Sequence, residues 1–219
     1  MHPSYVYFAV SSSEVVTSTL RDSWAWYVIR ASGLVSLTLL VLLMISGIGH
    51  VTGWTYRLFS PVKAWSVHKA MAITLAVSIA IHMLGLLADH YVNFSLAQIF
   101  VPFLKNYSNG TSLFGLHLGL LAIPAGILAA YGAYVVIFSS LDTVGWISKH
   151  KRLWKWTHVI SYAVMVLVVF HVLNSGTDFK ESFWRLILLV TFIVLIIAVA
   201  VRILRMSLFS GKNKANKKN

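Results

Sequence analysis

The sequence predicts an all-α integral membrane protein of five transmembrane helices, on three observations. Hydrophobic residues make up 58% of the 219 residues and charged residues only 11%, against roughly 25% charged in a soluble domain; the mean hydropathy is +0.78. Five stretches, 24–48, 67–88, 113–139, 156–174 and 184–206, reach the length of about 20 apolar residues that a bilayer core demands. All eight tryptophans (Trp24, Trp26, Trp54, Trp65, Trp146, Trp154, Trp156, Trp184) stand at or beside an end of these stretches, where interfacial aromatic belts form. A soluble enzyme, a disordered tail and a secreted disulfide scaffold are excluded together. With no cysteine in the chain, iron–sulfur clusters, CxxCH attachment, thiolate zinc and disulfides are excluded as well.

Taken in order, residues 1–23 are polar and Ser-rich, lack a basic n-region and a long apolar core, and read as a short outer segment rather than a signal peptide. The first span carries Arg30 about two turns in, and the second carries Lys69 close to its start. The connection 89–112 contains FSLAQIFVPFLKNY, apolar but too short to cross, and reads as an interfacial or re-entrant lid. The N-x-S/T sequons at Asn106 and Asn109 are patterns short enough to arise by chance. The core domain is then 24–206, and the basic tail 207–219, ending GKNKANKKN, reads as solvated and mobile.

The cations orient the chain. One side collects thirteen: Arg57, Lys63, Lys69, Lys149, Lys151, Arg152, Lys155, Arg202, Arg205, Lys212, Lys214, Lys217 and Lys218. The other collects five: Arg21, Arg30, Lys105, Lys180 and Arg185. The positive-inside rule places the richer side in the cytoplasm, with the N-terminus outside and the C-terminus inside, in a multi-pass protein of the plasma (cell inner) membrane. The net charge of +12 is thereby a topology determinant or an anionic-lipid contact, and nucleic acid is not an expected partner.

Histidines inside the spans are the informative feature. The second span carries His68 and His82, fourteen residues apart, and the fourth carries His158 and His171, thirteen apart. Both spans run in the same direction, so His68 and His158 share the cytoplasmic level, and His82 and His171 the outer level, ~20 Å away. Intramembrane ionisable residues are costly and mark function, and neutral imidazole is a common axial ligand of haem iron. The plainer reading of any one of them is a helix-packing histidine. Four matched in height favour ligation instead, and levels so far apart cannot share one zinc ion. Two bis-histidine haems, paired His68/His158 and His82/His171, use all four; without cysteine they are non-covalent haem b. A spacing of fourteen keeps one face at 3.5 residues per turn, whereas thirteen leaves His158 and His171 roughly 100° apart, so the fourth span must tilt, bend or turn its rings. His2, His50, His90 and His150 fall at termini or helix ends and read as solvated, and His117 as a packing or interfacial residue. Arg30 wants an anion at its depth, supplied by outer haem propionates or else by snorkelling to headgroups; Asp89 and Asp178 are more distant candidates. Lys69 pairs with an inner propionate or simply marks the cytoplasmic boundary.

At these residues the chain resembles the ferric reductase-like transmembrane family of NADPH oxidases, ferric reductases and small bacterial cytochrome b subunits. VHKAMAITLAVSIAIH (67–82) and WKWTHVISYAVMVLVVFH (154–171) are similar to the family's two ligand helices, IRASGLV (29–35) to its Arg-bearing helix, and GTD (176–178) to a sequence in bacterial members. The resemblance covers roughly 24–206 and implies stacked haems carrying electrons from a cytoplasmic donor to an outer acceptor. The chain departs from it in having no GxGxxG and no flavin-binding HPF[ST] motif. No flavin or nicotinamide site is expected, and the donor is expected to be a separate flavoprotein reductase or a membrane quinol. Leu86 stands where oxygen-reducing relatives carry a further histidine, which favours iron reduction or delivery to another redox protein over superoxide formation. Two alternatives remain open: a quinol-oxidising cytochrome b anchor for a separate redox protein, and a haem-free transporter or scaffold.

Overall fold

The computed structural model describes residues 12–89, 92–105, 112–113, 116–141 and 149–215, with side chains over 23–89, 92–105, 118–141 and 149–201. Helix α1 (Ser12–Thr52) begins inside the segment expected to be a separate outer tail. No glycine or proline interrupts 12–32, and extending an existing helix costs little once a span has nucleated it. Gly53, at φ 77, ends α1 in the left-handed region that favours glycine. A 3₁₀ turn (Trp54–Arg57) then leads to α2 (Pro61–Ala88), whose proline occupies the first turn, where no backbone donor is missed.

The connection beyond α2 contains α3 (Leu96–Phe100), started by a capping box in which Ser95 and Gln98 satisfy each other's backbone N–H groups. Phe94 and Ile99 pack against Ile123 and Ile127, so the expected lid lies across the bundle end. Lys105 fastens it: Nζ donates to the carbonyls of Val92 (2.5 Å) and Asn93 (2.7 Å) and sits 4.2 Å from the Phe94 ring centre. A two-residue antiparallel bridge, β1 (Ser112–Leu113) with β2 (Leu116–His117), precedes α4 (Ala122–Ser140). The Asn106 and Asn109 sequons, His2, His90 and Trp146 lie outside the described residues.

Helices α5 (Lys151–Ser175) and α6 (Ser182–Ala215) complete the bundle. The described residues include five helices long and apolar enough to cross a membrane: Ser23–Thr52, Pro61–Ala88, Leu118–Ser140, Lys151–Ser175 and Ser182–Val201. Helix α6 continues past position 207 to Ala215, into the stretch expected to be a mobile tail. Cations toward a helix C-terminus interact favourably with its dipole, which supports that extension.

The packing resolves into two antiparallel hairpins, α1 with α2 and α4 with α5, joined through α2 and α4 and flanked by α6. In α1–α2 the register is fixed by Ser78, whose hydroxyl donates to the Ser32 carbonyl (2.9 Å), and by close approach of Gly85 to Ile29. The shared core comprises Leu37, Leu40, Met44, Leu75, Ala129, Ala133, Val164, Met165 and Val169, to which α6 adds Leu188 and Leu195, one seam two turns apart. Most other side chains of α6 up to Val201 are exposed, as a helix whose other face meets lipid should be. Tyr134 donates to the Ala76 carbonyl (2.9 Å) and ties the hairpins together. Tyr134→Phe should destabilise the purified protein by about 0.5–1.5 kcal/mol, read as an earlier thermal transition in detergent with an unchanged helical circular dichroism spectrum.

Candidate functional site

The second and fourth predicted spans bring their distal histidines together. His82, on α2, and His171, on α5, face each other with ring centres 6.5 Å apart and planes at 87°. His82 Nδ1–H donates to the Ile29 carbonyl of α1 (2.8 Å), and His171 Nδ1–H to the Ala122 carbonyl of α4 (2.7 Å). A carbonyl can only accept, so each bond sets the proton on Nδ1 and leaves Nε2 with its lone pair. Ser175 Oγ lies 3.3 Å from Nδ1 and 3.5 Å from Nε2 of His171 while donating to the His171 carbonyl (2.6 Å), nearly equidistant from the two nitrogens and so in line with neither. Both rings thus carry the tautomer that suits a metal ligand whose other nitrogen is hydrogen-bonded to a carbonyl.

The two rings open onto a cavity of about 350 Å³ between α1, α2, α4 and α5, in the size range of cofactor sites. Its walls are mostly apolar. It descends from His82, His171, Gly33 and Gly126 to Leu75, Val164, Leu40 and Ala133, each seven residues further along its helix, or ~10 Å deeper. Gln98 and Ile99 of the lid line its upper wall.

At the rim stands Arg30. Its guanidinium makes a two-point ion pair with the Asp178 carboxylate, Nε to Oδ2 at 2.9 Å and Nη2 to Oδ1, and its Cζ lies 4.8 Å from the Trp26 ring centre. Asp178 opens the 3₁₀ turn Asp178–Lys180, anchored by buried Phe179, and this turn carries the carboxylate to α1. Asp178, the more distant candidate, is the anion that Arg30 meets. Side-chain exposures of 41% and 19% put the pair at the cavity mouth rather than in its depth. Lys69 is exposed; following His68 by one residue, it is turned about 100° around the helix from it.

At the other end, His68 Nδ1 lies 2.7 Å from Ser46 Oγ of α1. That hydroxyl also lies 3.1 Å from the Leu43 carbonyl, and its single hydrogen can serve either acceptor. His158 makes its ring contact with Trp154, one turn before it (5.2 Å). Among the described residues a direct ring contact therefore joins the His82/His171 pair, while the rings around His68 are His50 (5.3 Å) and Trp65 (6.1 Å). His50 departs from the solvated role expected of it. It stacks on Trp65 at 4.8 Å and 10°, and both its ring nitrogens are buried without a hydrogen-bond partner. The glycine turn at 53 reverses the chain, which brings Trp65 of α2 over the end of α1. A histidine closing a long apolar span beside a nearby tryptophan was the available signal. His150 caps α5 at its exposed start, and the side chain of His117 is outside the described set.

Among the described residues no group of three or more His, Cys, Asp or Glu side chains is arranged to hold a metal ion by itself. Two facing histidines suit a metal whose remaining positions are filled by a macrocycle. No protein-family model, curated protein or solved structure matches the chain.

Proposed function

We propose that this chain is a transmembrane electron-transfer subunit holding two b-type haems, one between His82 and His171 and one between His68 and His158. The observation that carries the reading is the outer pair: two rings facing across a cavity, each with Nδ1 committed to a backbone carbonyl. A ring-centre separation of 6.5 Å matches one metal bonded to both rings at about 2 Å. The second pair is supported by its equal height on two parallel helices and by the Ser46 hydroxyl that holds His68 through Nδ1 at 2.7 Å. When bound, haem iron takes up and releases single electrons without the protein supplying a redox group.

His82, His171, His68 and His158 would hold the haems, while the chain lines an apolar cavity and places a balanced ion pair, Arg30 with Asp178, at its mouth. The cation distribution supports a reading in which the Arg30 end lies outside and the His68 end in the cytoplasm. Electrons then enter from a separate flavoprotein reductase or a membrane quinol and leave to an outer acceptor, in a ferric reductase-like manner. The test is a reduced-minus-oxidised visible spectrum of the purified, haem-supplemented protein, with haem quantified per chain. Two low-spin b-type haems are expected. One would confine the reading to the His82/His171 site, and a colourless protein would overturn it in favour of a transporter or scaffold.

A further inference from the structure

We propose that Gly33 and Gly126 are positioning residues, each keeping open the backbone carbonyl one turn before it so that the histidine opposite can bind there. The importance of the effect rests on the haem reading; its geometry does not.

In an α-helix the carbonyl of residue i accepts from the N–H of residue i+4, and the Cβ of residue i+4 tilts back toward the helix N-terminus, over that carbonyl. The acceptor for His82 is Ile29 and the glycine is Gly33; the acceptor for His171 is Ala122 and the glycine is Gly126. Both are i, i+4 pairs, on two different helices. A Cβ at Gly126 would stand 2.6 Å from His171 Nδ1 and 2.8 Å from Cε1; one at Gly33 would stand 3.2 Å from His82 Nδ1 and 3.1 Å from Cε1. The atom that a side chain would strike is the nitrogen that donates. Where the histidine's partner is a side chain instead, the constraint is absent. His68 bonds Ser46 Oγ, and a Cβ at Gly47 would meet its Cε1 at an ordinary 3.8 Å.

A methyl group at 126 forces the ring off the Ala122 carbonyl, and a ring without that acceptor no longer confines its proton to Nδ1. Nε2 then carries a hydrogen for part of the time and fails as a ligand. Loss of such an outer partner typically weakens metal binding 10–100-fold. Gly33→Ala should act in the same way but more weakly, because its gap is larger.

The experiment uses the full chain labelled with ¹⁵N-histidine, first without haem in detergent micelles, then titrated with haem. In the wild type, His82 and His171 should both show the Nδ1–H tautomer. Gly126→Ala should convert His171 to a tautomer mixture, leave His82 unchanged and weaken one of the two haems by about 10-fold or more; Gly33→Ala should do the reverse, with a smaller loss. Gly132→Ala is the packing control, since its Cβ would meet Val164 Cγ2 at 2.6 Å and no histidine; it should leave both tautomers in place. A His171 that keeps the Nδ1–H tautomer in Gly126→Ala, or a Gly132→Ala that disturbs the tautomers equally, overturns the proposal. A wild type that binds no haem but shows the tautomer shift would remove the haem reading and leave the positioning role standing.

Discussion

His171→Ala is expected to abolish haem binding at the Arg30 end of the bundle and to leave the other end loaded. In the proposed arrangement each iron would draw one ligand from α2 and one from α5, and no third histidine ring is in contact with the His82/His171 pair among the described residues. A truncated His171 also leaves the Ala122 carbonyl without the ring that it holds. Haem per chain should fall from two to one, with His82→Ala giving the same residual spectrum. His68→Ala and His158→Ala should each give the complementary one. Should His68→Ala and His171→Ala deplete the same spectral component, pairing by height is wrong.

The second large effect concerns the rim. Arg30 and Asp178 lie at the cavity mouth as a neutral pair, so each single change leaves an uncompensated charge there. A nearby cation favours the reduced, more negative state of a redox centre and a nearby anion disfavours it. Arg30→Leu removes the cation and exposes the carboxylate, and both changes lower the midpoint potential of the His82/His171 haem. Asp178→Asn should raise it. Each shift should be on the order of 59 mV, a tenfold change in a one-electron equilibrium, and the Arg30→Leu/Asp178→Asn double variant should return close to the wild-type value. The haem ~20 Å away should move much less in all three. Equal shifts of both haems, or none, in a redox titration would reduce the pair to a structural clamp between α1 and the 178–180 turn.

The five spans were legible because crossing a bilayer demands length and apolarity, which any window of sequence displays. The facing of His82 and His171 was legible too, from equal heights on two helices running the same way. What escaped the sequence depends on register between elements. The anion of Arg30 lies 148 residues away, and depth along a span does not say which turn of a distant connection will fold onto it. His50 was assigned to solvent because it ends a span, but its burial is decided by the reversal at Gly53 and by the first turns of α2. The roles of Gly33 and Gly126 were invisible for the same reason: a glycine acquires its meaning from the ring that lands on it. The ends of α1 and α6 were missed because polarity shows where the bilayer stops, not where a helix does.

The hairpin of α1 and α2 has an evolutionary corollary. Gly33 faces His82 and Gly47 faces His68, fourteen residues apart on each strand of the hairpin. The spacing of the two levels is therefore written twice, in antiparallel copies that must agree. Inserting one residue between His68 and His82 turns one ring by about 100° and shifts it by about 1.5 Å, and a matching insertion between Gly33 and Gly47 would be needed before both rings found their seats again. Length variation should consequently be purged from both fourteen-residue intervals together, giving the hairpin a fixed gauge.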